Sequence, residues 1–395
     1  MSDRRRVSQA CSIAELRQLA QRRLPRAIFD FFDGGAEDEI SLEDNVRSFT
    51  RLRLLPRSLV DVSTVDSSTT ILGRRSPLPF AIAPTGGAGF GRHGTDVAIA
   101  QAAARAGIPY TLSTSATASI ERIAREAPGR LWFQAYILRN REFLQGLIDR
   151  ALAADYEALM VTIDLPVGGK RERDFRNRMS FPFRFSAGHL LDFALHPRWT
   201  CAIARQGMPV VENLIGLEAQ ATSASRIASS VGRSYDPSFD WDRLAQLRDK
   251  WPRRFIVKGV MRADVAQRLA SMGVDAIVVS NHGGRQLDGT LAPIEALPAV
   301  VDAVAGRAEV WMDSGIRRGS DVLKACALGA SAVLLGRATL FGAFAGLDAG
   351  AERAITILAD ELERSMQLCG ARSVRELDPS LIHRPCAQAT IAAGS

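Results

Sequence analysis

Lys258-Gly259 and the run Ser280-Asn281-His282-Gly283-Gly284-Arg285-Gln286-Leu287-Asp288-Gly289 hold the residues best suited to chemistry. Ala276-Ile277-Val278-Val279, just before the run, is apolar and rich in β-branched residues, so it reads as a buried parallel strand. Two glycines after the histidine let the backbone turn and approach a ligand closely. His282 is therefore expected at the end of a buried strand, facing a cavity, with Arg285 three residues on. A base beside a guanidinium suits a substrate with an ionisable C–H or O–H next to a carboxylate. The same tripeptide is also a common turn, so the elements around it have to decide.

Those elements repeat. Candidate strands are Phe80–Pro84, Tyr110–Ser113, Leu131–Tyr136, Ala158–Asp164, Phe255–Lys258, Ala276–Asn281, Val310–Asp313 and Ala332–Leu335. Alanine- and arginine-rich amphipathic segments lie between most of them, among them Thr95–Ala106, Arg141–Ala154 and Gly319–Leu328. Eight strand–helix units predict a (β/α)8 TIM barrel over about residues 79–370, within one domain spanning 1–395. A doubly wound open sheet is the alternative architecture. Ser12 to Phe32 reads as mostly helical, with a capping-box pattern at Ser12 and Glu15, and a further helix is expected from Ala36. Arg51 to Pro79 has no readable period. One insertion, about residues 175–240, interrupts the rhythm after strand 4. Within it Ser180–Leu214 mixes aromatics (Phe181, Phe183, Phe185, Phe193, Trp199) with Arg184, Arg198 and Arg205 and few acids. That composition suits a membrane surface, and equally a lid or an oligomer contact.

Barrel chemistry sits at the C-terminal ends of the strands. The ends here carry Thr85, Ser113, Gln134 with Tyr136, Thr162 with Asp164, Lys258, His282 and Asp313. The last two loops add Asp313-Ser314-Gly315-Ile316-Arg317 and Gly336-Arg337, glycines and arginines where barrels hold phosphate. A phosphate on one side, hydrogen-bonding groups in the middle and His282 with Arg285 opposite make a layout that fits flavin mononucleotide (FMN). Lys258 would then stabilise negative charge at the pyrimidine end of the ring.

Composition sets limits. The chain has 395 residues, 47% of them hydrophobic, and a formal charge of +7. Its arginines are scattered rather than gathered into a nucleic-acid stripe, so an anionic substrate or an anionic membrane surface is expected, and no nucleic acid. Cys11, Cys201, Cys326, Cys369 and Cys386 are odd in number and have no Cys-x-x-Cys pair, which points to a reducing compartment without a disulfide frame or metal site. The basic N-terminus lacks the apolar core of a signal peptide, and no stretch is apolar enough to span a bilayer.

From Arg23 to about Gly370 the chain resembles the FMN-dependent L-2-hydroxy-acid dehydrogenases and oxidases. The resemblance rests on "SNHGGRQLDG" (Ser280–Gly289), "GGAEDE" (Gly34–Glu39), "APTG" (Ala83–Gly86), "WFQAY" (Trp132–Tyr136), "DSGIRRGSDVLKA" (Asp313–Ala325) and "LLGRA" (Leu334–Ala338). It implies His282 as the base, Asp164 as its charge partner, Arg285 and Arg171 as a carboxylate clamp, and Tyr136 at the substrate hydroxyl or carboxylate. Lys258, Thr162, Gln134 and Ser113 would contact the isoalloxazine. Asp313, Gly315, Arg317, Gly336 and Arg337 would hold the ribityl phosphate, and Pro84, Thr85, Gly86 and Ser280 complete the cofactor set. Where the family commonly has a substrate-reaching tyrosine, the resemblance places Phe29 in "AIFDFFDGGAEDE" (Ala27–Glu39). "RERDFRNRM" (Arg171–Met179), "HPRW" (His196–Trp199) and "GMP" (Gly207–Pro209) are most similar to the mandelate dehydrogenase branch. That implies an (S)-mandelate-like aryl substrate, electrons passed to a quinone of the respiratory chain, a homotetramer, and peripheral attachment on the cytoplasmic side of the inner membrane. L-lactate dehydrogenase, an oxygen-using oxidase, a non-redox phosphate-binding barrel and a non-catalytic flavin-binding protein are the alternatives.

Overall fold

A computed structural model describes residues 3–177, 186–217 and 234–384. Phe181–Phe185 of the aromatic insertion and the tail after Arg384, which the sequence suggests is loose, lie outside the described residues.

Eight parallel strands close into a barrel: β1 (Phe80–Ile82), β2 (Tyr110–Ser113), β3 (Leu131–Tyr136), β4 (Ala158–Thr162), β5 (Arg254–Val260), β6 (Ala276–Val279), β7 (Glu309–Met312) and β8 (Ala332–Leu335). Pairing runs in sequence from β1 round to β8 and back to β1, with Val333 opposite Phe80 and Leu335 opposite Ile82, so the open-sheet alternative is excluded. Both faces of these strands are buried, which is why each reads as a continuous apolar run rather than an alternation. The interior is filled: Trp132 and Trp311 stack at 5.0 Å, with Met160, Ile256 and Val278 in the same cluster. Helices cover the outside, burying faces such as Leu144, Leu147, Ile148 and Ala151 of Arg141–Ala153.

Three additions frame the barrel. The unreadable connector holds a hairpin, Thr69–Ile71 against Arg74–Ser76, turned through Leu72 and Gly73 with φ of +52° and +76°. It abuts the strands' N-terminal ends, where Leu72 N–H donates to Glu309 and Arg130 donates to the Ile71 carbonyl. At the N-terminus, Ile13–Arg23 begins at Ser12, whose side chain accepts from Glu15 N–H, and Arg26–Asp33 follows. The next helix runs Ile40–Arg51 rather than from Ala36, because Asp288 accepts the N–H groups of Ile40 and Ser41 and starts the helix there. The third addition is the insertion, whose described part forms helices Ala187–Leu195 and Pro197–Gln206. Among the described residues no helix is long and apolar enough to cross a membrane, and no His/Cys/Asp/Glu cluster could hold a metal.

Candidate active site

A cavity of about 690 Å³ opens at the C-terminal ends of the strands. Its wall includes Pro84, Thr85, Gly86, Tyr136, Arg171, Lys258, His282, Arg285, Asp313, Gly315, Arg317, Gly336 and Arg337. The fold thus gathers most of the sequence-derived candidates in one place.

At its centre lies a base and carboxylate. His282 follows β6 in the left-handed region, φ +59°, and Gly283 and Gly284 continue at +69° and +72°. This sparsely allowed turn is held by His282 N–H donating to Ser280 Oγ (3.1 Å) and Gly283 N–H donating to Ser314 Oγ (3.0 Å). It aims the imidazole between two partners. Nδ1 lies 2.9 Å from Asp164 Oδ1, and Nε2 lies 3.3 Å from the Tyr136 hydroxyl. Burial works to raise Asp164, but His282 and Lys258 outweigh it, and the carboxyl sits below its ordinary value. Asp164 is therefore an acceptor only. Nδ1 faces this acceptor, which leaves Nε2 as the ring nitrogen turned to the cavity. Asp164 itself reaches this position because β5 bulges at Gly259, φ +101°, where an added Cβ would lie 2.7 Å from the Asp164 side chain.

Lys258 Nζ donates to Ser280 Oγ (2.8 Å) and lies 3.1 Å from Asp313. Burial pulls its pKa down, but Asp313 and Asp164 more than compensate, so the ammonium is retained. Ser113, Gln134 and Thr162 are buried at neighbouring strand ends rather than in the cavity wall itself. Ser113 Oγ donates to Gln134 Oε1 (3.2 Å), and Gln134 Nε2 donates to Thr162 Oγ1 (2.9 Å).

Cations converge from several loops. Removal from water and the neighbouring Arg171 and Arg337 push the pKa of Arg285 well below normal. Arg317 is lowered by burial, and Arg337 to about 10 by burial and by Arg317. Clustered, buried arginines of this kind suit an anionic ligand. Arg337 also braces the walls, donating to the carbonyls of Phe32 (3.0 Å), Gly283 (2.9 Å) and Gly34 (2.9 Å). Arg285 donates to Gly34 as well, at 2.9 Å, so the N-terminal "GGAEDE" segment closes over the histidine loop.

One expectation is corrected. Phe29 does not reach this cavity: it is buried and stacks on Phe341 at 6.2 Å. Two residues along a helix point to nearly opposite faces, and Phe31 is the ring that lines the cavity. The guanidiniums of Arg171 and Arg285 lie over Phe31 at 5.1 and 5.6 Å from its centroid. The sequence reading also missed Ser115, Leu165, Asp174, Phe175, Val211 and Tyr235, all in the wall. Asp174 orients Arg171 through a 2.7 Å bond, and Tyr235 packs on Tyr136 at 5.3 Å. Asp174 stood inside the quoted "RERD"; Tyr235 carried no local signal.

The donor set fits a phosphorylated flavin. Gly315, φ +87°, lies so close to the Asn45 carbonyl (2.0 Å to an added Cβ) that its bare backbone forms the wall. Gly336 precedes helix Arg337–Gly346, whose N-terminal N–H groups suit an anion. Ser115 Oγ is buried in the wall without a hydrogen-bond partner among the described residues, as a ligand contact would be.

A closed barrel with a histidine–carboxylate pair beside buried arginines at its C-terminal face has the layout of a barrel enzyme for an anionic ligand. Residues 20–384 match the family described as FMN-dependent dehydrogenase. The chain is 42% identical over 371 residues to (S)-mandelate dehydrogenase of Pseudomonas putida, covering 94% of this chain and 93% of that one. It is 39% identical over 381 residues to an L-lactate oxidase of Nostoc sp., covering 95% and 99%. The crystal structure of the monotopic membrane protein (S)-mandelate dehydrogenase superposes with TM-score 0.92 at 41% identity, covering 95% of this chain and all of that one. The chain belongs to the FMN-dependent dehydrogenase family, and FMN is its cofactor.

Proposed function

We propose that this enzyme oxidises an (S)-2-hydroxy acid with an aryl side chain, (S)-mandelate or a close analogue, to the 2-oxo acid. The observation that carries the proposal is His282 Nε2 facing the Tyr136 hydroxyl, with Asp164 behind the ring and Arg171 and Arg285 beside it over Phe31. FMN, when bound, supplies the acceptor for the two electrons lost from the substrate carbon. The arginines clamp the carboxylate and fix the handedness at that carbon. Nε2 takes the proton, Asp164 balances the charge that then forms on the ring, and Tyr136 orients the reacting oxygen. Phe31, Leu165, Phe175, Val211 and Tyr235 give the cavity an apolar lining suited to a phenyl group.

The same reading assigns Lys258, Ser113, Gln134, Thr162 and Ser280 to the flavin ring, and Gly315, Arg317, Gly336 and Arg337 to its phosphate. It takes residues 1–395 as one catalytic unit. L-lactate is the second substrate reading, supported by the L-lactate oxidase relative, and an oxidase would betray itself by peroxide. The monotopic membrane relative supports peripheral membrane attachment; the cytoplasmic side of the inner membrane, a quinone acceptor and a homo-oligomer complete the proposal. Replacing His282 by Ala tests the base: the protein should keep its flavin yet fail to bleach it with substrate, and normal bleaching would overturn the assignment.

A further inference from the structure

The proposed binding mode leaves one direction open at the reacting carbon. The carboxylate goes to Arg171 and Arg285, and the hydroxyl goes to Tyr136 and His282. The hydrogen lost in oxidation takes a third position, so the side chain has only the fourth, fixed by the handedness of the acid. A side chain leaving a carbon whose hydroxyl sits on Tyr136 meets the wall next to that residue. The ring there is Tyr235, tilted 56° to Tyr136 with centroids 5.3 Å apart. Both tyrosines belong to the cavity wall.

Other rings of the wall are committed elsewhere. Phe31 lies beneath both guanidiniums, Phe32 is buried against Phe344 at 4.8 Å, and Phe175 is 70% exposed. Tyr235, by contrast, is held firmly beside the reacting groups. Its backbone pairs antiparallel with Leu138, two residues beyond Tyr136. Arg139 N–H donates to the Ser234 carbonyl (2.8 Å), and Asp236 N–H donates to the Ile137 carbonyl (3.0 Å). Arg139 Nε adds a bond to the Tyr235 carbonyl at 3.0 Å. Asp236 then anchors the next turn, accepting from Ser238 N–H (3.0 Å) and from Arg243 (2.7 Å). Burial and Tyr136 raise the pKa of Tyr235 against the pull of Arg171, so the ring stays a neutral phenol.

We infer that Tyr235 is the residue that selects the substrate's side chain, its ring being the surface on which an aryl group at the reacting carbon packs. The inference rests on the hydroxy-acid oxidation proposed above and adds a specificity-determining residue to it. Two aromatic rings attract through the negative face of one and the positive edge of the other. A saturated ring of the same size buries similar area against Tyr235 without that attraction, and a methyl group buries far less. The selector stands where the chain returns from the insertion, not on a barrel strand. Side-chain preference can therefore change with this loop while His282, Asp164 and the arginines stay as they are.

The test is dye-linked turnover of the full-length, flavin-loaded enzyme with (S)-mandelate, its cyclohexyl analogue (S)-hexahydromandelate, and L-lactate. An aromatic pair is worth roughly two- to twelve-fold beyond the area it buries. Tyr235→Leu, which keeps an apolar side chain and removes the ring, should lower the kcat/KM ratio of mandelate to hexahydromandelate roughly five-fold. Tyr235→Phe keeps the ring and should hold that ratio within about two-fold of the wild type. If the leucine variant does not accumulate as folded, yellow protein, Tyr235→Met carries the same expectation. A loss shared equally by all three acids would make Tyr235 a brace for Tyr136 and overturn the inference, with hydroxy-acid oxidation left standing. A ratio that falls as far in Tyr235→Phe as in Tyr235→Leu would assign the selection to the hydroxyl and overturn it too. A wild type that oxidises none of the three acids overturns the proposed function and this inference with it.

Discussion

Asp164→Asn is the sharpest perturbation of the proposed machinery. The side chain keeps its shape, so the bulge at Gly259 and the Gly283-Gly284 turn have no reason to move. What changes is charge. In the wild type, a carboxylate 2.9 Å from Nδ1 faces the ring that must accept the substrate proton. Two unit charges centred about 4 Å apart, at an effective dielectric near 20, attract by about 4 kcal/mol. Losing all of that would cost roughly three powers of ten in rate. The amide retains part of a hydrogen bond, and Lys258 is left without one of its two carboxylates, so a fall of roughly 10²–10³ is expected. The assay is anaerobic stopped-flow bleaching of the bound flavin by (S)-mandelate. The loss should appear in the limiting rate, with substrate affinity and flavin content little changed. A loss under about five-fold, or one confined to affinity, would refute a charge-balancing Asp164.

Phe31→Ala removes the ring beneath two guanidiniums; at about 0.5–1 kcal/mol for each cation–π contact, substrate KM should rise roughly five- to thirty-fold. Phe29→Ala should instead lower thermal stability by about 3–5 kcal/mol with KM unchanged, because that ring is core. Gly315→Ala should yield protein poor in flavin, read from the absorbance ratio after purification, since the Asn45 carbonyl leaves no space for a methyl group. Burial raises Asp96 to about 6 from an ordinary 3.8, while Thr117 holds it by its N–H and hydroxyl. The folded chain then binds a proton that the unfolded chain releases, a stabilisation present at low pH and lost as pH rises through about 6. Urea midpoints at about pH 5 and about pH 7.5 should show Asp96→Asn removing about 1 kcal/mol of that pH dependence.

The barrel was legible because both faces of its strands are buried. Tyr110–Ser113, Leu131–Tyr136 and Ala332–Leu335 have the same bounds as apolar runs and as strands of the fold. What escaped were features that depend on contacts rather than pattern. The Leu72-Gly73 turn carries a leucine at positive φ, where no turn residue announces itself. The bulge at Gly259 extends β5 past its apolar run. Phe29 and Phe31 sit two apart in one helix, both aromatic, and only packing against Phe341 on one side and the arginines on the other decides which faces the cavity. Tyr235 reaches the site after a long excursion, so nothing local marks it. The polar strand ends and the loops after β7 and β8 could be placed because barrel geometry gathers them wherever the helices between them run.

The most direct measurement of the central claim is an anaerobic absorption spectrum of the purified protein, taken before and after adding (S)-mandelate, (R)-mandelate, L-lactate or glycolate to separate samples. A yellow flavin spectrum bleached by (S)-mandelate, and far more slowly by the other three, is the predicted result. A spectrum that stays yellow with all four would contradict hydroxy-acid oxidation at this site.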